Sequence, residues 1–171
     1  MMLHAELWRG GQCLRGYEAL NDVVISRGSM ARIIRLATSI DGVYVTTYMC
    51  DGLIISTATG CTAYALSCGG PILPPELRSI LLVPIAPHLS LDRAIVLADG
   101  AEVSVHVSTD HDAILTIDGQ FAIDLTHDDR IIAQANPHSS LFVRTQGRGY
   151  FYQTLMERLG CPYRGGELGD E

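Results

Sequence analysis

The chain has 171 residues, 47% of them hydrophobic and 18% charged, which excludes a disordered or fibrous protein and allows one domain with a real core. A net charge of −7 and a pI near 5.2 argue against a nucleic-acid partner. All twelve basic residues are arginine, so no lysine is present to form a Schiff base or to serve a Walker-type phosphate loop.

The elements follow from hydrophobic alternation. Leu3–Trp8 alternates apolar and polar residues and predicts a strand; Gly10-Gly11 turns the chain, and Cys13–Tyr17 returns as its hairpin partner. Ala19–Ser26 places Asn21 and Asp22 at the entrance of a β-branched run, pointing to opposite faces. Arg27-Gly28-Ser29 reads as a turn. Arg32–Ser39 and Val43–Met49, split by Asp41-Gly42, make the clearest hairpin. Ile80–Ala86 reads as a buried strand whose Pro84 predicts an edge or a bulge. Ala94–Leu97, Glu102–Val107, Ala113–Ile117, Phe121–Leu125, Arg130–Ala135 and Leu141–Arg144 complete this series of short strands. Tyr150–Leu159, closed by Gly160 and Pro162, predicts the one sizeable helix. The expected fold is mostly β: a sandwich of two packed, mainly antiparallel sheets, with a short helix in mid-chain and a helix at the C-terminus. Residues 1–162 are expected to form that domain and 163–171 a flexible tail.

No apolar run is long enough to span a bilayer, and Met1-Met2-Leu3-His4 lacks the basic-then-apolar pattern of a signal peptide. The five cysteines, at 13, 50, 61, 68 and 161, form neither a C-x-x-C pair nor a regular framework. Reduced thiols in a cytoplasmic protein, with no membrane partner, are the expectation.

The densest chemistry lies in Asp51–Pro71, DGLIISTATGCTAYALSCGGP. It predicts a strand over Asp51–Thr57, a small-residue turn, a short helix over Thr62–Ser67, and a stop at Gly69-Gly70-Pro71. Such a strand–turn–helix presents backbone N–H groups to an anion or a nucleotide. Elsewhere the local readings stay plain. Asn21-Asp22 alone is explained by a turn before a strand, although the carboxylate could accept from ribose hydroxyls and the amide could read a base edge. Asp118-Gly119-Gln120 is explained by a hairpin turn. His111, between Asp110 and Asp112, reads as a solvated loop and not a metal site, and Cys61 and Cys68 as core or helix-packing thiols. No Ser-His-Asp order, H-E-x-x-H or Walker loop occurs.

Taken together, four stretches resemble the C-terminal domain of the NAD kinases: Ala19–Ile25 (ALNDVVI), Asp51–Ile72, Pro84–His88 (PIAPH) and Asp118–Gln120 (DGQ), in that order. The resemblance covers about Leu3 to Gly160. It implies a two-domain kinase that phosphorylates the 2′-hydroxyl of the adenosine ribose of NAD to give NADP, using ATP or polyphosphate with Mg²⁺ or another divalent cation. The family's N-terminal domain carries a Gly-Gly-Asp-Gly loop that clamps the donor phosphates and supplies the base. That sequence does not occur in these residues, so the chain alone is expected to hold NAD without catalysing transfer, and no catalytic residue is assigned. The alternative is a stand-alone NAD(P)-binding or oligomerisation module.

By resemblance, Asn21 and Asp22 contact the adenosine and ribose, and Asp51 lies at the same pocket. Thr59 and the segment Thr62, Ala63, Tyr64, Ala65, Leu66 and Ser67 line the dinucleotide, and Arg32, Met49, Ala86 and Gln120 match further contacts. No metal ligands are assigned. The family implies a homodimer or homotetramer and an N-terminal kinase domain as partners. Three positions depart from its pattern. Asp22 stands for a glutamate and is shorter by one methylene, Ala58 for a proline, and Cys61 for a serine, a poorer donor.

Overall fold

The computed structural model describes residues 1–28, 32–143, 145–147 and 149–160. It contains twelve strands: β1 Leu3–Arg9, β2 Gln12–Ala19, β3 Asp22–Arg27, β4 Ile34–Ile40, β5 Val43–Cys50, β6 Gly52–Thr57, β7 Ser79–Ile85, β8 Ile95–Ala98, β9 Val103–Ser108, β10 Ala113–Ile117, β11 Phe121–Leu125 and β12 Arg130–Ala135. The helices are α1 Tyr64–Ser67, preceded by a 3₁₀ turn at Gly60–Thr62, and α2 Tyr150–Arg158. Residues Met1–Ser140 form one compact unit and a second begins at Leu141.

In the first unit the strands form two six-stranded antiparallel sheets, ordered β2-β1-β12-β9-β4-β5 and β11-β10-β3-β6-β7-β8. The expected sandwich is therefore present. Alternate residues of both sheets fill the space between them, with Leu3, Leu7, Leu36, Tyr48, Val103, Val105 and Ile131 from one sheet meeting Val23, Ile25, Leu53, Ile55, Ile80, Leu82 and Leu115 from the other. Both hairpins read from the sequence are formed. Asp41 and Gly42 turn the second with φ of 50° and 76°, as the twist of a two-residue hairpin demands.

A second core lies on the outer face of the sheet that contains β6. Val24, Ile54, Leu81 and Val83 point outward from three adjacent strands and are covered by Ala58, Cys61, Ala65 and Leu73. All six residues of β6 are buried as a result, the hydroxyl-bearing Ser56 and Thr57 included. Pro84 sits where its missing N–H does no harm: β8 pairs with β7 only as far as Leu82, so β7 is interior over its first half and an edge at Pro84.

The second unit contains α2, ended by Gly160 at φ 71°. Leu141–Val143, expected as the start of a last strand, pair with no strand among the described residues, and their side chains are exposed. Strand alternation there has no neighbouring ladder to join. Arg144, Ser29, Cys161, Pro162 and the tail from 163 lie outside the described residues.

Candidate functional site

The site is built where the start of β3, the end of β6 and the β10–β11 turn meet. Ser56 stands opposite Asp22, and Ile117 opposite Val23. Thr57 donates its N–H to the Asn21 carbonyl (2.9 Å) and its hydroxyl to the Leu20 carbonyl (2.7 Å), while the Ser56 hydroxyl also reaches the Asn21 carbonyl (3.0 Å). Thr57 Oγ1 in turn accepts the Gly60 N–H at 3.0 Å. The last two residues of β6 thus spend their hydroxyls on the Leu20-Asn21 backbone. Glycine at 60 is a steric necessity, because a Cβ there would stand 2.1 Å from the Asn21 carbonyl oxygen.

Asp118 completes the assembly. Its carboxylate accepts three successive backbone N–H groups, from Leu20 (2.8 Å), Asn21 (2.7 Å) and Asp22 (3.0 Å), and its own N–H donates to the Asp22 carbonyl at 2.9 Å. Asp118 and Gly119 have φ of 49° and 65°, the mirror-image turn expected of Asp-Gly. Asp22 is only 6% exposed, and its carboxylate has no hydrogen-bond or ion-pair partner among the described residues. Burial, and then the charge of Asp118, push its pKa above the ordinary value of 3.8. Among the described residues the fully enclosed side-chain atoms left without a partner are Tyr48 OH and Asn136 Nδ2, so the Asp22 oxygens keep some access to solvent and stand open to a donor from outside.

The 3₁₀ turn and α1 cross the outer face of the same sheet. Ala65 is fully buried in the second core, so it anchors the helix, while Thr62, Ala63, Tyr64 and Ser67 are exposed and Thr59 and Leu66 half-buried. The N–H groups of Gly60 and Ala63 are already taken by Thr57 Oγ1 and the Gly60 carbonyl, so the turn offers fewer free donors than its sequence implies. Cys61 is a core thiol: its sulfur accepts the Leu73 N–H at 3.1 Å. Ala58, where the family pattern has proline, is packed in the second core. Burial raises the Tyr64 phenol, and Cys68 and then Asp51 raise it further.

Apart from Gln120, the remaining expected residues lie at the other end of β6, about 17 Å away at roughly 3.3 Å per residue. Asp51 precedes that strand; its carboxylate pairs with the Arg27 guanidinium at 3.0 Å, and its N–H donates to the Ile85 carbonyl. Ala86 follows β7 with φ 44°, a conformation unusual for a residue with a Cβ. Met49 is half-buried, and its carbonyl accepts the His88 N–H at 2.6 Å. Arg32 lines a cleft of about 370 Å³ with Arg35, Ser108, Thr109, Asp110 and His111, and its guanidinium meets His111 Nε2 at 2.8 Å. Gln120 is exposed on the turn beside Asp118, at the first end. The expected residues therefore form two groups, with Tyr64 on the element between them. Sequence reasoning singled out the Asp118–Gln120 turn but gave the Asp118 carboxylate no role, and it gave none to Arg27. The D-G-Q match marked the first, and nothing local marked the second.

The family profile for the ATP-NAD kinase C-terminal domain matches residues 20–145. The chain is 44% identical over 158 residues to an NAD kinase of Chloroflexus aurantiacus and 43% identical over 165 residues to one of Acidovorax ebreus, covering 92% and 96% of this chain but 57% and 55% of theirs. It spans little more than half the length of these relatives. Among solved structures it is similar to a yeast NADH kinase complexed with NADH, with a TM-score of 0.83 and 26% identity, covering 99% of this chain and 50% of that one. It is also similar to an NAD kinase from Archaeoglobus fulgidus in complex with ATP, with a TM-score of 0.74 and 27% identity over 91% of this chain and 59% of the other. With its paired six-stranded sheets, its strand–turn–helix centre and this profile, the chain belongs to the ATP-NAD kinase C-terminal domain family.

Proposed function

We propose that this chain is the NAD-holding part of an NAD kinase that transfers a phosphoryl group from ATP or polyphosphate to the 2′-hydroxyl of the adenosine ribose. The observation that carries this reading is Asp22, a buried carboxylate with no partner among the described residues, set beside the hydroxyl-rich turn of a chain in the NAD kinase family. A ribose hydroxyl donating to it takes up an acceptor that the protein leaves open. Asn21 reads the adenosine, Thr59 and the exposed Thr62–Ser67 residues line the dinucleotide with Gln120 beside them, and Asp51, Arg32, Met49 and Ala86 form a second group of contacts.

Phosphoryl transfer depends on positioning and charge neutralisation. The donor phosphates and the catalytic base belong to a Gly-Gly-Asp-Gly domain elsewhere in a longer protein, so this chain alone binds NAD without turnover. Among the described residues no three His, Cys, Asp or Glu side chains are grouped to hold a metal, and a divalent cation would enter with the donor phosphates. No described helix is long and apolar enough to cross a membrane; this is a fact about helices only. A cytoplasmic homodimer or homotetramer is the proposed setting.

Calorimetry with NAD and NADP on the chain, and on Asp22→Asn, Asp51→Asn and Tyr64→Ala, tests the site. Asp22→Asn and Tyr64→Ala are each expected to weaken NAD binding about tenfold, the worth of one good polar or stacking contact, and Asp51→Asn by less, because Arg27 already pairs with that carboxylate. Unchanged affinity in all three refutes the assignment. A longer protein carrying this segment that fails to convert NAD to NADP with ATP or polyphosphate refutes the activity.

A further inference from the structure

We propose that Asp118 is a positioning residue for the acceptor site: it holds the Leu20–Asp22 backbone in the one arrangement that leaves the Asp22 carboxylate for a ligand hydroxyl. This rests on the reading of Asn21 and Asp22 as ligand contacts.

An aspartate in a hairpin turn ordinarily hydrogen-bonds within its own turn. Asp118 instead reaches 96 to 98 residues back along the chain and gathers three consecutive N–H groups at 2.8, 2.7 and 3.0 Å. A carboxylate in a concavity of backbone N–H groups makes charge-assisted bonds, the stronger kind. The clamp is closed from the other side by the Asp118 N–H on the Asp22 carbonyl. It is also mounted on a fixed support, since β10 pairs along its length with both β3 and β11. With the N–H groups taken by Asp118 and the Leu20 and Asn21 carbonyls taken by Thr57 and Ser56, the peptide planes on both sides of Asn21 are fixed. Their side chains are then the only groups of this segment left to a ligand.

The same contact sets the charge around Asp22. From β6 it is faced by the hydroxyl-bearing Ser56 and Thr57, which carry no charge, and from the β10–β11 turn by Asp118. The cation on its own strand, Arg27, is at the far end and pairs with Asp51. Asp118 is therefore the charged neighbour that acts on Asp22 among the described residues, in the same direction as burial.

Removing the carboxylate should have two consequences that a merely structural residue would not produce together. The Leu20–Asp22 amides lose their acceptor, and the acid limb of ligand binding moves. The test uses the full chain, Asp118→Asn, Asp118→Ala, and the control Arg9→Ala, which breaks the ion pair with Asp129 and leaves the Leu20–Asp22 segment intact. NAD affinity is measured by calorimetry from pH 4 to 8, and amide exchange is followed at residues 20–22. Asn tolerates the left-handed turn and keeps one acceptor oxygen, so it guards against a failure of Asp118→Ala to fold. The expected result is about tenfold or greater weakening in Asp118→Ala, the scale of a misplaced contact, with Asp118→Asn between it and the parent. The three amides exchange faster, and the pH midpoint of binding falls in both variants because a negative neighbour has gone. Arg9→Ala lowers thermal stability and leaves that midpoint where it was. If the parent binds NAD and both Asp118 variants match its affinity and midpoint, the inference is overturned while the acceptor-site reading stands, even if the amides exchange faster. If the parent fails to bind NAD at any pH, both fall.

Discussion

Replacing Gly60 with alanine puts a methyl group where the protein backbone already is. The new Cβ would lie 2.1 Å from the Asn21 carbonyl oxygen, 2.5 Å from its carbon and 2.6 Å from Cα, and no side-chain rotation relieves a clash with backbone. Restoring ordinary contact needs a movement of more than about 1 Å between the 57–60 turn and the start of β3, on the scale of a contact near 3.4 Å. That movement stretches the Thr57 N–H bond to Asn21 and the Ser56 hydroxyl bond beside it, each worth about 1 kcal/mol net. Overpacking adds roughly 1–3 kcal/mol, and the better intrinsic conformational preference of alanine returns less than about 1 kcal/mol. A net loss of about 3 kcal/mol corresponds to roughly 6–12 °C in Tm for a chain of this size. Gly100→Ala is the control, since a Cβ there meets nothing within 4 Å. Thermal unfolding by circular dichroism, with NAD affinity measured alongside, checks the expectation. A Gly60→Ala variant that melts within a degree or so of Gly100→Ala would show that the turn and Asn21 are not locked together, and would remove the steric basis of the site.

Three further expectations concern groups with perturbed ionisation. Asp22 has a raised native pKa, so the native state binds the proton more tightly, and stability falls as pH rises from the ordinary value of 3.8 through the raised one. The Tm of Asp22→Asn minus that of the parent should therefore grow across this acid range and level off above it; a difference that shrinks with pH contradicts the burial cost. Asp129 behaves oppositely: burial would raise it, but the paired bonds from Arg9 at 2.7 Å and from Thr126 outweigh burial and hold it below 3.8. Its stabilisation is present above that value and lost as pH falls through the native one. Arg9→Ala should cost about 2 kcal/mol by urea unfolding at neutral pH, a buried-pair loss discounted for the half-exposed guanidinium, and less in acid; a cost that is the same at both pH values rejects the pairing. Burial pushes the Cys50 thiol up to about 12, and Cys61 is equally enclosed, whereas Cys13 is exposed on an edge strand. Iodoacetamide at pH 8 with mass spectrometry should label Cys13 in the folded chain and Cys50 only on unfolding. Early labelling of Cys50 would mean that the sandwich opens there.

What was legible in the sequence is what depends on neighbours along the chain. Alternation located β1 and β4, each with one buried and one open face, and the Gly10-Gly11 and Asp41-Gly42 turns located their hairpin partners β2 and β5, which are largely exposed. The strand at β6 was legible from Leu53-Ile54-Ile55, but its burial on both faces was not, because the second core that covers it is built partly from residues beyond the strand. Pro84 was legible as an edge or bulge but not as a strand that changes from interior to edge, because that depends on where β8 stops. Leu141–Val143 carry strand composition without a ladder, and composition cannot supply one. The site divides the same way. Asp51–Pro71 stands out because its glycines, hydroxyls and aromatic ring are contiguous. The Asp118 clamp was hidden because Asp-Gly is fully explained as a hairpin turn, while its carboxylate works on residues almost a hundred positions away.

The two acids that sequence reasoning treated as members of one pocket are physically unlike. Asp51 is about one-third exposed and already pairs with Arg27, so a ligand hydroxyl reaching it must share or displace that partner, and gains only the difference. Asp22 is 6% exposed and has no protein partner to displace among the described residues, so a donor arriving there displaces only water. The shorter reach of aspartate compared with the glutamate of the family pattern is consistent with this burial, since a longer arm would carry the charge further from the Leu20–Asp22 backbone. If both acids serve the same ligand, Asp22 therefore contributes more of the affinity and Asp51 more of the placement. The roughly 17 Å of β6 between them, at about 3.3 Å per residue, sets the length over which Tyr64 and the exposed edge of α1 must guide a ligand from one to the other.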